Sequence, residues 1–561
     1  MFFKILTVLA FSLSIFLGNI EGETFHYRIK PIPISDRTNL EISFKIEGVK
    51  ASSVAVKLPV DCYGTPKLFR FVTAFTGESG TTVQSGKDEG ERLVQPNSQG
   101  EIYLKYVLSF DPQALADSTF SPNVGNSHFH VAGCQWMLRI GNEEEKRPHI
   151  IELVDAPKDW KLYSSLSANP AKFEGVVSLD DLDITAIGGG RKGFSQFLVR
   201  EKPVSVFVRG KFVIPQNEIF AAVRKIVTLQ RERFNDFNQP FYNVVVLPKE
   251  DNVAGTRIEN LFVSFFKADV TREQLYVLLS HEMLHNWLTA NIIKPPKGEI
   301  SLKYQWFYEG FTDYFSRRIL LDAKLLTLEK FAELINRDII NIADNPNKNT
   351  TFQDLVKATQ TGKFNQAFNK LSYYRGALIA LNWDTKIRQM NKEKSLGNLI
   401  EDVYWLALKN NGSNSEQDFF ELVQKNYGID AQTDFEKYIL RGEPISIPPD
   451  AIGSSYELRK SSVPSFDVGF QLNESQRAKK VLGVVDNGVA FRAGLRDGME
   501  IVQIENYNRF GNAWNPLKPL VVIVKEQNKN RKIAFFPHGI PHNLSLFQSV
   551  STNRMNRKIS H

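Results

Sequence analysis

Two histidines four positions apart, His281 and His285, enclose Glu282 in the run His281-Glu282-Met283-Leu284-His285. On a helix such positions share one face, so both imidazoles can reach a single point; on a strand they would stand about 13 Å apart. The flanking residues predict the helix. Thr271-Arg272-Glu273-Gln274 is a capping box, and Leu275, Leu278 and Leu279 follow at helical spacing. Pro295 and Pro296 are expected to stop it, which would leave both histidines well inside. A second helix-like stretch, Trp306-Phe307-Tyr308-Glu309-Gly310-Phe311-Thr312-Asp313-Tyr314, adds an acid at Glu309.

These residue types point to a metal-dependent hydrolase. Two imidazoles and one carboxylate are a common zinc set that keeps the fourth position open for water or substrate. Glu282 stands where a general base belongs. The bland alternative, a helix with two core histidines and no metal, leaves the Glu309 segment unexplained. The expectation is one zinc ion (Zn2+) per chain, held by His281, His285 and Glu309, although other divalent ions suit the same donors.

A chain of 561 residues is too long for one core, and three to four domains are expected. Its net charge of +7 is small for this length, and no aromatic-interleaved basic stripe stands out. Nucleic acid is therefore not an expected partner. Lys4, the apolar run from Ile5 to Leu17 and the exit Gly18-Asn19-Ile20-Glu21-Gly22 read as a secretory signal peptide over 1–22. The run is too short to span a bilayer comfortably, and no membrane segment is expected in the mature chain. The protein should be exported, to a periplasm or outside the cell. Cys62 and Cys134 could pair in such a compartment, but two cysteines are not a disulfide framework.

The hydrophobic period divides the chain as a multidomain α+β protein. From 23 to 205 it is two, as in Leu40-Glu41-Ile42-Ser43-Phe44-Lys45-Ile46, which predicts a β-rich, sandwich-like N-terminal domain. Gly188-Gly189-Gly190-Arg191-Lys192-Gly193 lacks the full phosphate-loop pattern and reads as a hairpin turn. From 206 to 440 helical periods dominate. Residues 441–465, with Pro444, Pro448, Pro449, Gly453 and several serines, read as a linker. Residues 466–540 form a further small domain, and 541–561 a polar tail.

The motifs resemble those of the gluzincin metallopeptidases. The exit His285-Asn286-Trp287, with Ile293-Lys294-Pro295 after it, is most similar to the glycyl aminopeptidase family. The 23 residues between His285 and Glu309 fit the larger alanyl aminopeptidase family less well. The resemblance implies an N-terminal β domain, a thermolysin-like catalytic domain with a helical part, and a C-terminal PDZ-like domain. Ala493-Gly494-Leu495-Arg496-Asp497-Gly498 looks like a PDZ signature, with Met499 where an aspartate is usual, and Gly469 and Phe470 are the implied peptide-binding positions.

Carried over residue by residue, the resemblance makes Tyr373, or alternatively Tyr374, the donor to the tetrahedral oxyanion. It makes Asp313 the carboxylate that orients His281. It makes Glu259, in Gly255-Thr256-Arg257-Ile258-Glu259-Asn260, the anchor of a substrate's α-ammonium, although the family's motif is altered here. The implied activity is removal of small N-terminal residues, glycine or alanine, from peptides, with Glu282 as the base. A peptide or protein ligand is a further expectation at the PDZ-like domain. Two alternatives stay open: a zinc endopeptidase, and a catalytically inactive peptide-binding protein.

Overall fold

The computed structural model describes residues 23–550, apart from 63, 116–119, 250–252, 298–299, 507–517 and 528. The expected signal peptide lies outside the described residues. The chain forms two compact units, divided between Lys192 and Gly193.

The first unit is β-rich, as its period of two requires. It contains a six-stranded sheet in the order Lys172–Val177, Arg147–Leu153, Thr24–Pro33, Thr38–Glu47, Ile102–Leu108, Val72–Glu78, and two four-stranded sheets. Leu40, Ile42, Phe44 and Ile46 are buried on one face of their strand, and the residues between them are half-buried. Cys62 and Cys134 are joined in a disulfide, with Cα atoms 5.8 Å apart. The triple glycine is not a turn. Gly188, Gly189 and Gly190 lie in the strand Ala186–Gly190, paired on both sides, where a side chain on Gly188 would strike the Tyr163 ring.

The expected boundary at 205 moves to Lys192, because Phe194–Val199 and Lys202–Val208 are strands of the second unit's sheet. That sheet runs Phe194–Val199, Lys202–Val208, Tyr242–Pro248, Leu261–Phe266, Ala254–Ile258. Its three inner strands are parallel and the outer pairs are antiparallel hairpins. Tyr242–Leu247 is buried on both faces, which explains its continuous apolar run. The helix Gln216–Arg233 crosses between the first parallel pair, burying Ile219, Val223, Ile226 and Val227. The helices Arg272–Leu284, Thr312–Asp322, Leu328–Asp344, Phe352–Gln360, Gln366–Met390, Leu396–Lys409 and Glu416–Tyr427 follow.

The expected linker and tail need correcting. Tyr456–Phe466 and His538–Ser549 form an antiparallel ribbon. Phe547 is 3% exposed and belongs to the main apolar core of the second unit, and its peptide exchanges two hydrogen bonds with the Asn336 amide. Serine and proline disguised the alternation, and the anchors Leu458 and Phe547 become recognisable only once the strands pair. Residues 551–561 lie outside the described residues. Between the ribbon's strands, Glu500–Glu505, Leu520–Glu526 and Lys529–Phe535 make a three-stranded sheet with its own apolar core. Phe470 is buried in that core, and the Gly469 N–H is donated to Asp467, 2.8 Å away.

Candidate metal centre

The histidine helix, Arg272–Leu284, starts at the expected cap, where Gln274 N donates to Thr271 Oγ1 at 3.2 Å. Inside the helix, Leu275, Leu279, Met283 and Leu284 are buried, and the Gln230 amide donates to Ser280 O at 3.0 Å. The helix stops about ten residues before Pro295, and His285 is its C-cap with φ −65° and ψ −4°. Side chains beyond the cap account for the early end. Asn286 donates to the Tyr242 hydroxyl at 2.7 Å, and Trp287 donates to Asp236 at 3.0 Å while stacking on Phe234. Because His285 keeps helical dihedrals, the imidazoles still share a face.

Glu309 sits in a wide helical turn, Trp306–Phe311, that continues into Thr312–Asp322. Wide turns of this kind recur at functional sites. His281 Nε2 and His285 Nε2 are 3.0 Å apart, and Glu309 Oε2 lies 3.3 Å from the first and 3.5 Å from the second. The far side of each ring decides what these atoms can do. His281 Nδ1 donates to Asp313 Oδ1 at 2.9 Å, and His285 Nδ1 donates to Leu288 O at 3.0 Å. With both Nδ1 atoms protonated, both Nε2 atoms present lone pairs to one another. Glu309 Oε2, shut off from solvent, receives no hydrogen bond. Three acceptors thus converge with no donor among them, which is stable only around positive charge. Burial works against a charged imidazole, yet the carboxylates of Asp313 and Glu309 outweigh it and raise His281 to about 10. A proton or a metal cation meets the same demand, and the N, N, O donor set suits zinc.

Glu282 is 5% exposed, and burial pushes its carboxyl above the ordinary range. Asp313 stays ionised. Burial would raise it, but the hydrogen bond from His281 and the charge of Arg317 hold it down. Arg317, one helical turn on, contacts Asp313 at 3.5 Å and is also paired with the buried Asp338. Neither Arg317 nor Asp338 was expected from the sequence; the i,i+4 spacing of Asp313 and Arg317 on one helix was the available signal.

Tyr373 arrives on the long helix Gln366–Met390. Its ring lies parallel to that of His281, at a centroid distance of 6.3 Å. Burial and the Glu309 carboxylate push its hydroxyl well above the usual phenol range, so it remains an O–H donor. Tyr374, the alternative, is 6% exposed and outside the cavity wall. A cavity of about 280 Å³ opens on the cluster, lined by His281, Glu282, His285, Glu309 and Tyr373 together with Gly255, Thr256, Arg257, Thr289, Ala290 and Tyr308.

Glu259 is not brought to this cavity. Ile258 pairs with Leu261 as the last rung of the edge hairpin, so Glu259 and Asn260 form the turn, and Glu259 is exposed. The edge strand instead presents Arg257 to the cavity.

Residues 274–379 match the profile of the M61 glycyl aminopeptidase family. No match is found among curated protein sequences. Among solved structures, the fold is similar to an aminopeptidase N family protein from Idiomarina loihiensis, with a TM-score of 0.66 and 17% identity over 94% of this chain and 98% of that one. An M1 zinc metallopeptidase from Deinococcus radiodurans aligns at a TM-score of 0.41 and 12% identity, over 76% of this chain and 95% of that one. The matched residues include His281, Glu282, His285, Glu309, Asp313 and Tyr373, so the segment that builds the cluster is the one similar to the M61 glycyl aminopeptidase family.

Proposed function

We propose that the protein is an exported, zinc-dependent peptidase that removes small N-terminal residues, glycine or alanine, from peptides. The observation that carries this reading is the convergence of His281 Nε2, His285 Nε2 and Glu309 Oε2, with no hydrogen-bond donor among them, beside the buried carboxyl of Glu282. These three side chains would hold one zinc ion per chain, which would supply Lewis acidity toward the scissile carbonyl and the attacking water. Glu282 accepts a proton from the attacking water and returns it to the leaving amine; its raised affinity for protons suits both halves of that transfer. The Tyr373 hydroxyl donates to the oxygen that gains charge in the tetrahedral state. Asp313, steadied by Arg317, fixes the tautomer and direction of His281.

The cavity's modest size suits a small residue beside the cleaved bond, in keeping with the family's description. Export agrees with the leader-like N-terminus and with the Cys62–Cys134 bridge. No helix among the described residues is long and apolar enough to cross a membrane. The segment 466–540 is proposed as a PDZ-like module that binds peptide by strand addition.

Endopeptidase action is a second reading, favoured by the position of Glu259 outside the cavity. The test is hydrolysis of glycyl- and alanyl-anilides by the mature protein, before and after chelation and after zinc is restored, beside N-acetylated peptides. Zinc-restored cleavage that needs a free amine supports the aminopeptidase. Equal cleavage of blocked peptides would replace it with the endopeptidase.

A further inference from the structure

The edge strand Ala254–Ile258 pairs with a neighbour along only one side, so its other side can receive an extended peptide. Its face toward the reacting centre is fixed by Gly255, where a side chain would press on Glu282, with Cβ 2.5 Å from Cγ. Side chains alternate along a strand, so Arg257 stands on that same face, about 7 Å further along. The distance is about two residues of a substrate strand lying beside it.

Arg257 lines the cavity and is half-buried. Its Nε is shut off from solvent and bonded to nothing. No carboxylate pairs with its guanidinium among the described residues, although the second unit's other half-buried arginines are mostly paired, as Arg337 is with Glu273 and Arg388 with Asp384. The carboxylates in the cavity wall are Glu282 and Glu309, and both are committed to the reacting centre. A guanidinium held without a counter-ion beside a substrate track is a ready receptor for a carboxylate, which it can grip with two parallel hydrogen bonds.

We propose that Arg257 is a specificity-determining residue that selects peptides carrying a carboxylate within two residues of the cleaved bond. The carboxylate is either an acidic side chain or the free C-terminus of a short peptide. This inference rests on the peptidase reading and deepens it. It also replaces the expected recognition of an ammonium group on this strand with recognition of an anion.

The test uses the zinc-loaded full-length mature protein and matched glycyl peptides. One arm places glutamate or glutamine at each position within two residues of the cleaved bond with the C-terminus amidated. The other compares free-acid and amidated dipeptides. The expected result is a kcat/KM at least tenfold higher for the carboxylate in one arm, which identifies its source. That preference should collapse by about tenfold or more in Arg257→Gln and be partly retained in Arg257→Lys. Binding of the same peptides to zinc-loaded Glu282→Gln, with and without Arg257→Gln, measures recognition without turnover. If no peptide is cleaved but this binding still prefers the carboxylate through Arg257, the peptidase reading fails while anion recognition by Arg257 stands. Equal treatment of acid and amide, or a preference unchanged in Arg257→Gln, would overturn the inference.

Discussion

Gly310 and Gly376 meet without side chains between them: a Cβ on either would overlap the other's backbone, and one on Gly376 would also strike the carbonyl of Trp306. The contact locks the Glu309 turn against the helix that carries Tyr373, three residues before Gly376. It sets the distance between the carboxylate and the hydroxyl. Gly376→Ala should therefore destabilise the fold by about 1–3 kcal/mol through overpacking and lower kcat more than it lowers zinc content. Denaturant titration, metal analysis and steady-state kinetics of the variant check this. Wild-type kcat would show that the spacing is not needed.

Tyr373 and Tyr374 are neighbours with different expected roles. Tyr373→Phe removes the hydroxyl beside His281 and Glu309 and should lower kcat by roughly 10²–10³ with zinc retained. Tyr374→Phe alters a buried side chain outside the cavity wall and should leave kcat within a few-fold. Similar losses in the two variants would contradict the assignment.

The chain His281–Asp313–Arg317–Asp338 separates metal affinity from stability. Asp313→Asn keeps the shape but weakens the orienting hydrogen bond, and zinc affinity should fall by roughly 10- to 100-fold in competition with a chelator. Arg317→Met leaves Asp338 buried beside Asp313 without its hydrogen-bonded cation, and only the weaker influence of Arg337 remains. The expected cost is about 3–5 kcal/mol of stability, read by denaturant titration.

In the first unit, burial lowers His130 from its ordinary value to about 3, and its Nδ1 meets the Tyr163 hydroxyl at 3.0 Å. The unfolded chain therefore binds a proton below about pH 6.5 that the folded unit refuses until about pH 3. Stability from this group is complete above pH 6.5 and falls with pH at up to about 1.4 kcal/mol per unit inside that window. Thermal unfolding at pH 7.5 and pH 5 should show a larger loss for the wild type than for His130→Gln. An equal loss would contradict a neutral, buried His130.

What the sequence disclosed depended on range. The capping box, the histidine spacing and Glu309 are short-range patterns, and periodicity marked the first part of the chain as β-rich, as in Leu40 to Ile46, and the later part as mainly helical. The remainder depends on pairing. Tyr456–Phe466 is recognisable as a strand only when His538–Ser549 lies beside it. Glu259 looked equivalent to a family glutamate until the Ile258–Leu261 pair put it in a turn. Gly310 and Gly376 are ordinary glycines until their backbones meet. The histidine helix ends ahead of Pro295 because Asn286 and Trp287 find long-range partners, Tyr242 and Asp236, before the prolines are reached.

The most direct test of the central claim is Glu282→Gln, with zinc content and peptide hydrolysis measured on the same preparation. The account predicts one zinc per chain, as in the wild type, with hydrolysis reduced by at least about 10²-fold, because His281, His285 and Glu309 remain while the base is gone. Undiminished hydrolysis, or a wild-type protein that binds no zinc, would contradict it.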